Sequence, residues 1–256
     1  MVRAFRSEWL KILRRGMLLG SAGAMTALSV LGVVLVTMRA QTGRGAVSVA
    51  RLSQPDGFAS LMSRTGEMLG VIVLGTVAIA VAQEYTHGTL RSLLVREPRR
   101  IRLLAGKLAA NLVFVSAGVT VAFAAALVTG LILGPSQGID TSGWLGSGLG
   151  QTLSTGGTLV LGALGYGLFG CLLGVVLRSP APAVIAGIAW ALPVEGLLSS
   201  AWSSLGTWLP FRQLDAIIAQ GTSTISYGHA LAMGGAYAAL ACVAAAVLFR
   251  QRDVLA

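Results

Sequence analysis

The stretch "VIVLGTVAIAVAQEYTHGTLRSLLVREPRR", residues Val71–Arg100, decides the fold. Its first half is apolar without a break and shows no alternation of period two. From Gln83 it becomes the longest strongly polar run in the chain, and another apolar run begins at Ile101. Continuous apolar runs are the mark of helices that satisfy their own backbone groups inside hydrocarbon. Barrel strands alternate instead. A polar segment between two such runs therefore reads as a loop joining two membrane spans.

Composition extends this reading to the whole chain. Of 256 residues, 55% are hydrophobic and 11% charged, and the mean hydropathy is +0.79. Soluble domains carry about 25% charged residues, so the expected class is an all-α integral membrane protein. Each span needs roughly 20 residues, which leaves room for six spans and no separate soluble domain. They fall at about 17–38, 65–83, 101–133, 149–177, 183–198 and 230–249. Residues 3–15 read as an amphipathic elbow helix, with Phe5, Trp9, Ile12 and Leu13 on one face and Arg14 and Arg15 at headgroup level. The apolar run that follows is long enough to span, so the first segment is expected to be retained and not cleaved. Residues 199–228 are too polar to cross yet rich in Trp, Leu and Ile, and predict short re-entrant or interfacial helices before the last span.

The formal net charge is +10. In a soluble chain this would point to nucleic acid; here the distribution of charge along the loops is the better account, and no nucleic-acid partner is expected. With six spans, fourteen basic side chains fall on the side of the termini and five on the other. By the positive-inside rule both termini are then cytoplasmic, with Arg14, Arg15, Arg99, Arg100, Arg102, Arg250 and Arg252 as topology anchors. Arg far outnumbers Lys, and Ala and Gly abound, which points to a high-GC bacterial genome and so to a bacterial plasma (inner) membrane. Cys171 and Cys242 lie inside apolar runs and read as small core residues. Gly167, Gly170 and Gly174 in the fourth span, Ala183 and Gly187 in the fifth, and Gly234 and Ala238 in the sixth have the four-residue or near-four-residue spacing that allows close helix approach, within the chain or between subunits.

Several chemistries are absent from the sequence. No Gly-x-x-x-x-Gly-Lys-[Ser/Thr] occurs, so the chain is not its own ATPase, and it is expected to bind no cofactor itself. No His-Glu-x-x-His and no Gly-x-Ser-x-Gly occur, and His87 and His229 are far apart, so neither an enzyme nor a metal site is expected. Glu67, Glu84 and Glu195 are placed at or near span ends and Lys107 near the start of the third span. Few mid-span charges remain, which argues against an ion-coupled transporter.

The polar stretch itself reads as a short amphipathic helix over about 85–97. Thr86 or Thr89 is placed to cap it, and Leu90, Leu93 and Leu94 share a face beside Arg91 and Arg96. Gly88 permits a sharp turn out of the preceding span and Pro98 stops the helix. A ridge of leucines on a membrane-parallel helix needs lipid or protein to cover it.

The ordered series Glu84-x-x-x-Gly88-Thr89-Leu90-x-x-Leu93-Leu94, then Arg99-Arg100 and "LLAGKLAAN" (Leu103–Asn111), resembles the signature of ABC-2 type transporter permeases. The basic "SEWLKILRR" start (Ser7–Arg15), "LP" followed by "LDAI" before the last span (Leu209–Ile217), and the "FRQRD" end (Phe249–Asp253) are similar to the same family. The resemblance implies a membrane subunit of a bacterial exporter that pairs with a second permease copy, or a homologous one, and with two cytoplasmic ATPase subunits. Those subunits would bind the ATP and Mg. It implies that the loop helix is a coupling helix, with Glu84, Tyr85, His87, Gly88, Thr89, Leu90, Leu93, Leu94 and Arg96 at the ATPase contact. Glu84 would hold the helix junction and pair with an arginine. The substrate would be hydrophobic or amphipathic: an antibiotic, peptide, lipid or drug. The alternatives are a stand-alone secondary transporter and a non-transporting anchor or immunity subunit.

Overall fold

The computed structural model describes residues 9, 18–41, 47–88 and 100–251. The elbow segment apart from Trp9, the segment from Thr89 to Arg99, and Arg252 lie outside the described residues. That covers Thr89, Leu90, Leu93, Leu94, Arg96, Arg99, Arg14 and Arg15. Among the described residues the chain is all-helical, with six helices long and apolar enough to cross a membrane.

The first span is α1 (Gly23–Gln41), entered through a π turn at Leu18–Ala22. After the short α2 (Val49–Leu52) comes α3 (Gly57–Thr86), the second span, and then α4 (Arg100–Ser136), the third. The short α5 (Ser142–Leu145) leads into α6 (Leu149–Leu177), the fourth span. The fifth span is broken in two. Its first part, α7 (Pro180–Ala189), passes through a π turn at Trp190–Val194 into α8 (Glu195–Ala201). Pro193 lies inside that turn; it has no N–H to donate and crowds the preceding carbonyl, so the helix widens there. Two short helices follow, α9 (Ser203–Gly206) and α10 (Pro210–Ile218), and the sixth span is α11 (Tyr227–Gln251).

The second span starts eight residues before the position that hydropathy alone suggests. Phe58, Leu61, Met62 and Leu69 are buried on one stripe, so Ser63, Arg64 and Thr65 are the polar face of the same helix and not a loop. Below Gly57 the chain is pinned by Arg51, whose guanidinium binds Asp56 through two contacts of 2.9 and 2.6 Å.

The centre of the bundle is the pairing of α3 with α6, the most extensive in the molecule. In the most apolar stretch of each span, 67% of the residues are buried in the second and 56% in the fourth, against 33% in the third, 22% in the fifth and 17% in the first and sixth. Two helices therefore form the core and the others face outward on one side. Glycine makes the central pairing possible. A Cβ on Gly170 would strike the Leu74 carbonyl, and one on Gly174 would lie 2.9 Å from the Ala78 carbonyl. Gly187 of the fifth span meets the Leu74 side chain in the same way. The four-residue spacings of small residues in these spans thus serve contacts within the chain.

One end of the bundle, the Trp144 face, carries residues 47–56, 137–148 and 219–226. It is a packed cap. Trp144 is fully buried, donates from Nε1 to the Leu52 carbonyl at 2.8 Å, and accepts at its own carbonyl from Thr152 Oγ1 at 2.9 Å. Phe58 stacks against Trp144 and edge-on to Phe123, with centroids 5.4 Å apart in both pairs. The other end, the Glu84 face, carries the exits of α3 and α6 and the starts of α4 and α7.

Candidate functional site: two polar junctions in an apolar bundle

At the Glu84 face, α3 does not stop at Gln83. Glu84, Tyr85 and Thr86 form its last turn, so Glu84 is at the foot of the second span, and Tyr85 and Thr86, expected to open the loop helix, belong to that span too. Thr86 Oγ1 donates to the Gln83 carbonyl at 3.0 Å, closing that turn. His87 Nδ1 lies 2.7 Å from the same carbonyl. Gly88 then adopts φ +65, the left-handed conformation that only glycine adopts freely, and the chain leaves the helix there.

Glu84 is buried and its carboxylate is paired with the Lys107 ammonium of α4, which is buried too. Among the described residues the partner of Glu84 is this lysine of the next span; the loop arginines expected to pair with it lie outside them. Lys107 lies two turns inside α4, level with the foot of α3, and its long stem reaches across apolar surface. Asn111 Nδ2 donates to the Lys107 carbonyl one turn further in, at 3.0 Å. Beside this pair, the Arg178 guanidinium stands over the Tyr85 ring, 5.7 Å from its centroid. Arg178 itself has φ 52, the left-handed cap that ends α6. The second, third and fourth spans are thus tied at one level by a carboxylate, an ammonium, a phenol ring and a guanidinium. Arg100 opens α4, and Arg102 and Arg250 are exposed at the same end of the bundle. Trp9 packs on Ala110 and Phe114 of the third span.

The second junction was not anticipated. Tyr166 is eleven residues from the Leu177 end of α6, about 16 Å along a helix about 43 Å long. That places it near the middle of a hydrocarbon core about 30 Å thick. It is fully buried, and its hydroxyl donates to Asp215 Oδ1 at 2.7 Å. Asp215 belongs to α10, so the segment before the last span re-enters the bundle to that depth. Phe211 of α10 packs on the Tyr166 ring at 5.0 Å and the Phe169 ring at 4.9 Å.

A cradle of glycines receives α10. Gly162 and Gly165 of α6 lie against Ile218 and Leu214, and Gly66 of α3 lies against Ile218. The first turn of α10 is preceded by Leu209, whose apolar side chain offers no cap. Glu195 supplies one from the fifth span: its Oε1 accepts from the Phe211 amide at 3.2 Å and its Oε2 from the Arg212 amide at 2.9 Å. The same Oε1 accepts from Trp190 Nε1 at 3.0 Å. A carboxylate at a helix N-terminus is favoured by the free amides and by the dipole. The π turn at Pro193 is what swings Glu195 into this place. At the far end of α10, the Gly221 amide closes on the Ala216 carbonyl at 2.7 Å, and Thr158 Oγ1 donates to the Ile218 carbonyl at 3.3 Å.

The charges around this junction come from four elements. Asp215 and Arg212 are on α10, Glu195 opens α8, and Glu67 on α3 is close enough for its charge to act on Asp215. The expectation of few charges at mid-span did not foresee Asp215, which the re-entrant α10 brings to that depth. Glu67, Glu195 and Asp215 are far apart in the sequence and each looks peripheral there, but the re-entry of α10 gathers them around one arginine. Sequence gave one weak signal, an aspartate set in the apolar context "LDAII". Tyr166 gave none, being hidden in the glycine-rich run of α6. Among the described residues no group of His, Cys, Asp and Glu has the arrangement of a metal site.

Comparison with curated proteins finds no match. One family model, described as a protein of unknown function (DUF2705), matches residues 44–255. The match runs from before the second span to the end of the sixth, well over half of the chain, and the protein therefore belongs to the DUF2705 family.

Proposed function

We propose that this protein is the permease subunit of an ATP-driven exporter in a bacterial plasma membrane, with both termini cytoplasmic. It would act with two separate ATPase subunits and a second permease copy, and move a hydrophobic or amphipathic substrate outward. The observation that carries the reading is the buried Glu84–Lys107 pair. It clamps the foot of the second span to the start of the third at the two ends of the segment whose sequence resembles a coupling helix. A load applied to that segment would be passed to both spans at once, since a buried ion pair with packed surroundings cannot slip without exposing an unpaired charge. The absence of a phosphate-binding loop from the sequence supports the reading that the motor is a separate subunit.

The test is affinity purification of the full-length chain from native membranes. A Walker-type ATPase should co-purify, and the Leu93→Asp, Leu94→Asp double variant should lose it together with substrate-stimulated ATP hydrolysis. Unchanged co-purification and unchanged stimulation by the variant would sink the coupling role.

A second reading is favoured by one observation, the carboxylates around Tyr166 at mid-membrane depth. Ionisable residues there are functional candidates by default, and three carboxylates against one guanidinium is an arrangement suited to taking up a proton. In that reading the isolated chain transports in liposomes under a proton gradient without any ATPase, and Asp215→Asn abolishes the flux.

A further inference from the structure

A groove of about 370 Å³ runs between the fourth and fifth spans. Its walls are Phe169, Leu172 and Leu173 of α6 and Ala186 and Trp190 of the fifth span, and Phe211 of α10 closes one end. Every residue that lines it is apolar. Ligand pockets of this size are usual for a single small molecule, but they normally carry a few convergent polar groups that fix orientation. Here those groups are used elsewhere. The Trp190 indole N–H is given to Glu195, and the Glu195 oxygens are taken by that indole and by two α10 amides. Glu195 is fully buried and turns no charge towards the groove.

The depth is fixed by the helices. Leu173 and Phe169 are four and eight residues from the Leu177 end of α6, and Ala186 and Trp190 are six and ten residues from Pro180. At 1.5 Å per residue the groove covers a band from about 6 to about 15 Å above those ends. That is the chain region of one leaflet of a core about 30 Å thick. Ile185 and Ile188, beside the wall formed by Ala186, are exposed, Ile185 by 66%, so the mouth opens on the membrane side of the fifth span. Arg178, between the two walls, stands at headgroup level, and its Nε is buried without a hydrogen-bond partner.

We propose that this groove holds one acyl chain of a bilayer phospholipid, drawn from the leaflet around Leu177–Pro180, with the chain tip against Phe211 at the start of α10. The occupant is hydrocarbon because nothing in the lining recognises anything else. A cationic amphiphile would find no counter-charge there. The inference rests on the placement of the spans in a membrane, and stands apart from the exporter reading.

The test uses the full-length protein in liposomes that contain a phosphatidylcholine with a photoactivatable diazirine in one acyl chain. After irradiation, adducts are mapped by peptide mass spectrometry. Labelling at 169–173 and 186–190 should exceed, several-fold, labelling at Val121 and Val247, which are exposed apolar residues that do not line this groove. Ala186→Phe fills the groove from an exposed position, and should remove the excess while leaving Val121 and Val247 labelled as before. A cationic amphiphile with the same diazirine chain should label the groove no better than the phospholipid. Uniform labelling of all exposed apolar residues in the wild-type protein would overturn the proposal, as would preferential labelling by the cationic probe. Neither result depends on the variant folding.

Discussion

Tyr166 and Asp215 show what one hydrogen bond does when water is absent. The phenol is fully buried, so its hydroxyl needs an acceptor, and Asp215 supplies one at 2.7 Å. Tyr166→Phe removes the donor and leaves a carboxylate with one partner fewer, which should cost about 1–3 kcal/mol. Asp215→Asn keeps an acceptor oxygen for the phenol and removes a charge that Glu67 and Glu195 oppose, so it should cost less. Thermal melting of detergent-purified protein, followed by loss of the monodisperse peak, checks the order; a larger loss for Asp215→Asn would refute it. The Glu84–Lys107 pair should behave differently because both partners are ions. Glu84→Gln or Lys107→Met alone strands a buried charge, or strips one of its partner, and should destabilise by roughly 3–5 kcal/mol. The double variant should be more stable than either single one. Additive losses in the double-mutant cycle would mean that the pair is not the clamp described above.

At the scale of elements, glycine decides how close the helices come. Gly170 and Gly157 lie on the same helix, α6, in opposite environments. A Cβ at Gly170 strikes the Leu74 carbonyl of α3, while a Cβ at Gly157 meets nothing within 4 Å. Gly170→Ala should therefore force the central helices apart and cost roughly 1–3 kcal/mol as overpacking. Gly157→Ala should be neutral or stabilising by up to about 1 kcal/mol through helix propensity. Melting temperatures of the two variants under identical conditions check the contrast, and equal effects would contradict it. The same elements show what the sequence could reveal. The spans were legible because hydrophobic continuity is a local property. The break in the fifth span was half legible, since Pro193 is visible but the direction of the resulting turn is not. The gathering of Glu67, Tyr166, Glu195 and Asp215 was not legible. Asp215 and Tyr166 are 49 residues apart, and no periodicity relates a re-entrant helix to the face of a distant span. Lys107 is legible as a cation near the start of the third span, but its pairing with Glu84 is not, because a single sequence does not show that α4 begins beside Glu84.

At the scale of the whole molecule the two junctions sit at different depths, one at the foot of the bundle and one near its middle. They are joined by the glycine seam between α3 and α6. A rotation of α3 imposed at Glu84 would reach Gly70, which touches the Tyr166 ring, and so reach α10 without any flexible element between. This arrangement has a direction only if the Glu84 face is the cytoplasmic one, as proposed from the excess of basic residues there. Single cysteines test that. The native Cys171 is buried and Cys242 only partly exposed, both within spans, so neither should react with a membrane-impermeant maleimide. Ser223→Cys, in the exposed turn before α11, should be labelled in intact cells. His87→Cys, exposed at the end of α3, should be labelled only after the membrane is opened. The opposite pattern would place the Trp144 face on the cytoplasmic side. The segment from Thr89 to Arg99 would then face away from any ATP, and the exporter reading would fall with the topology.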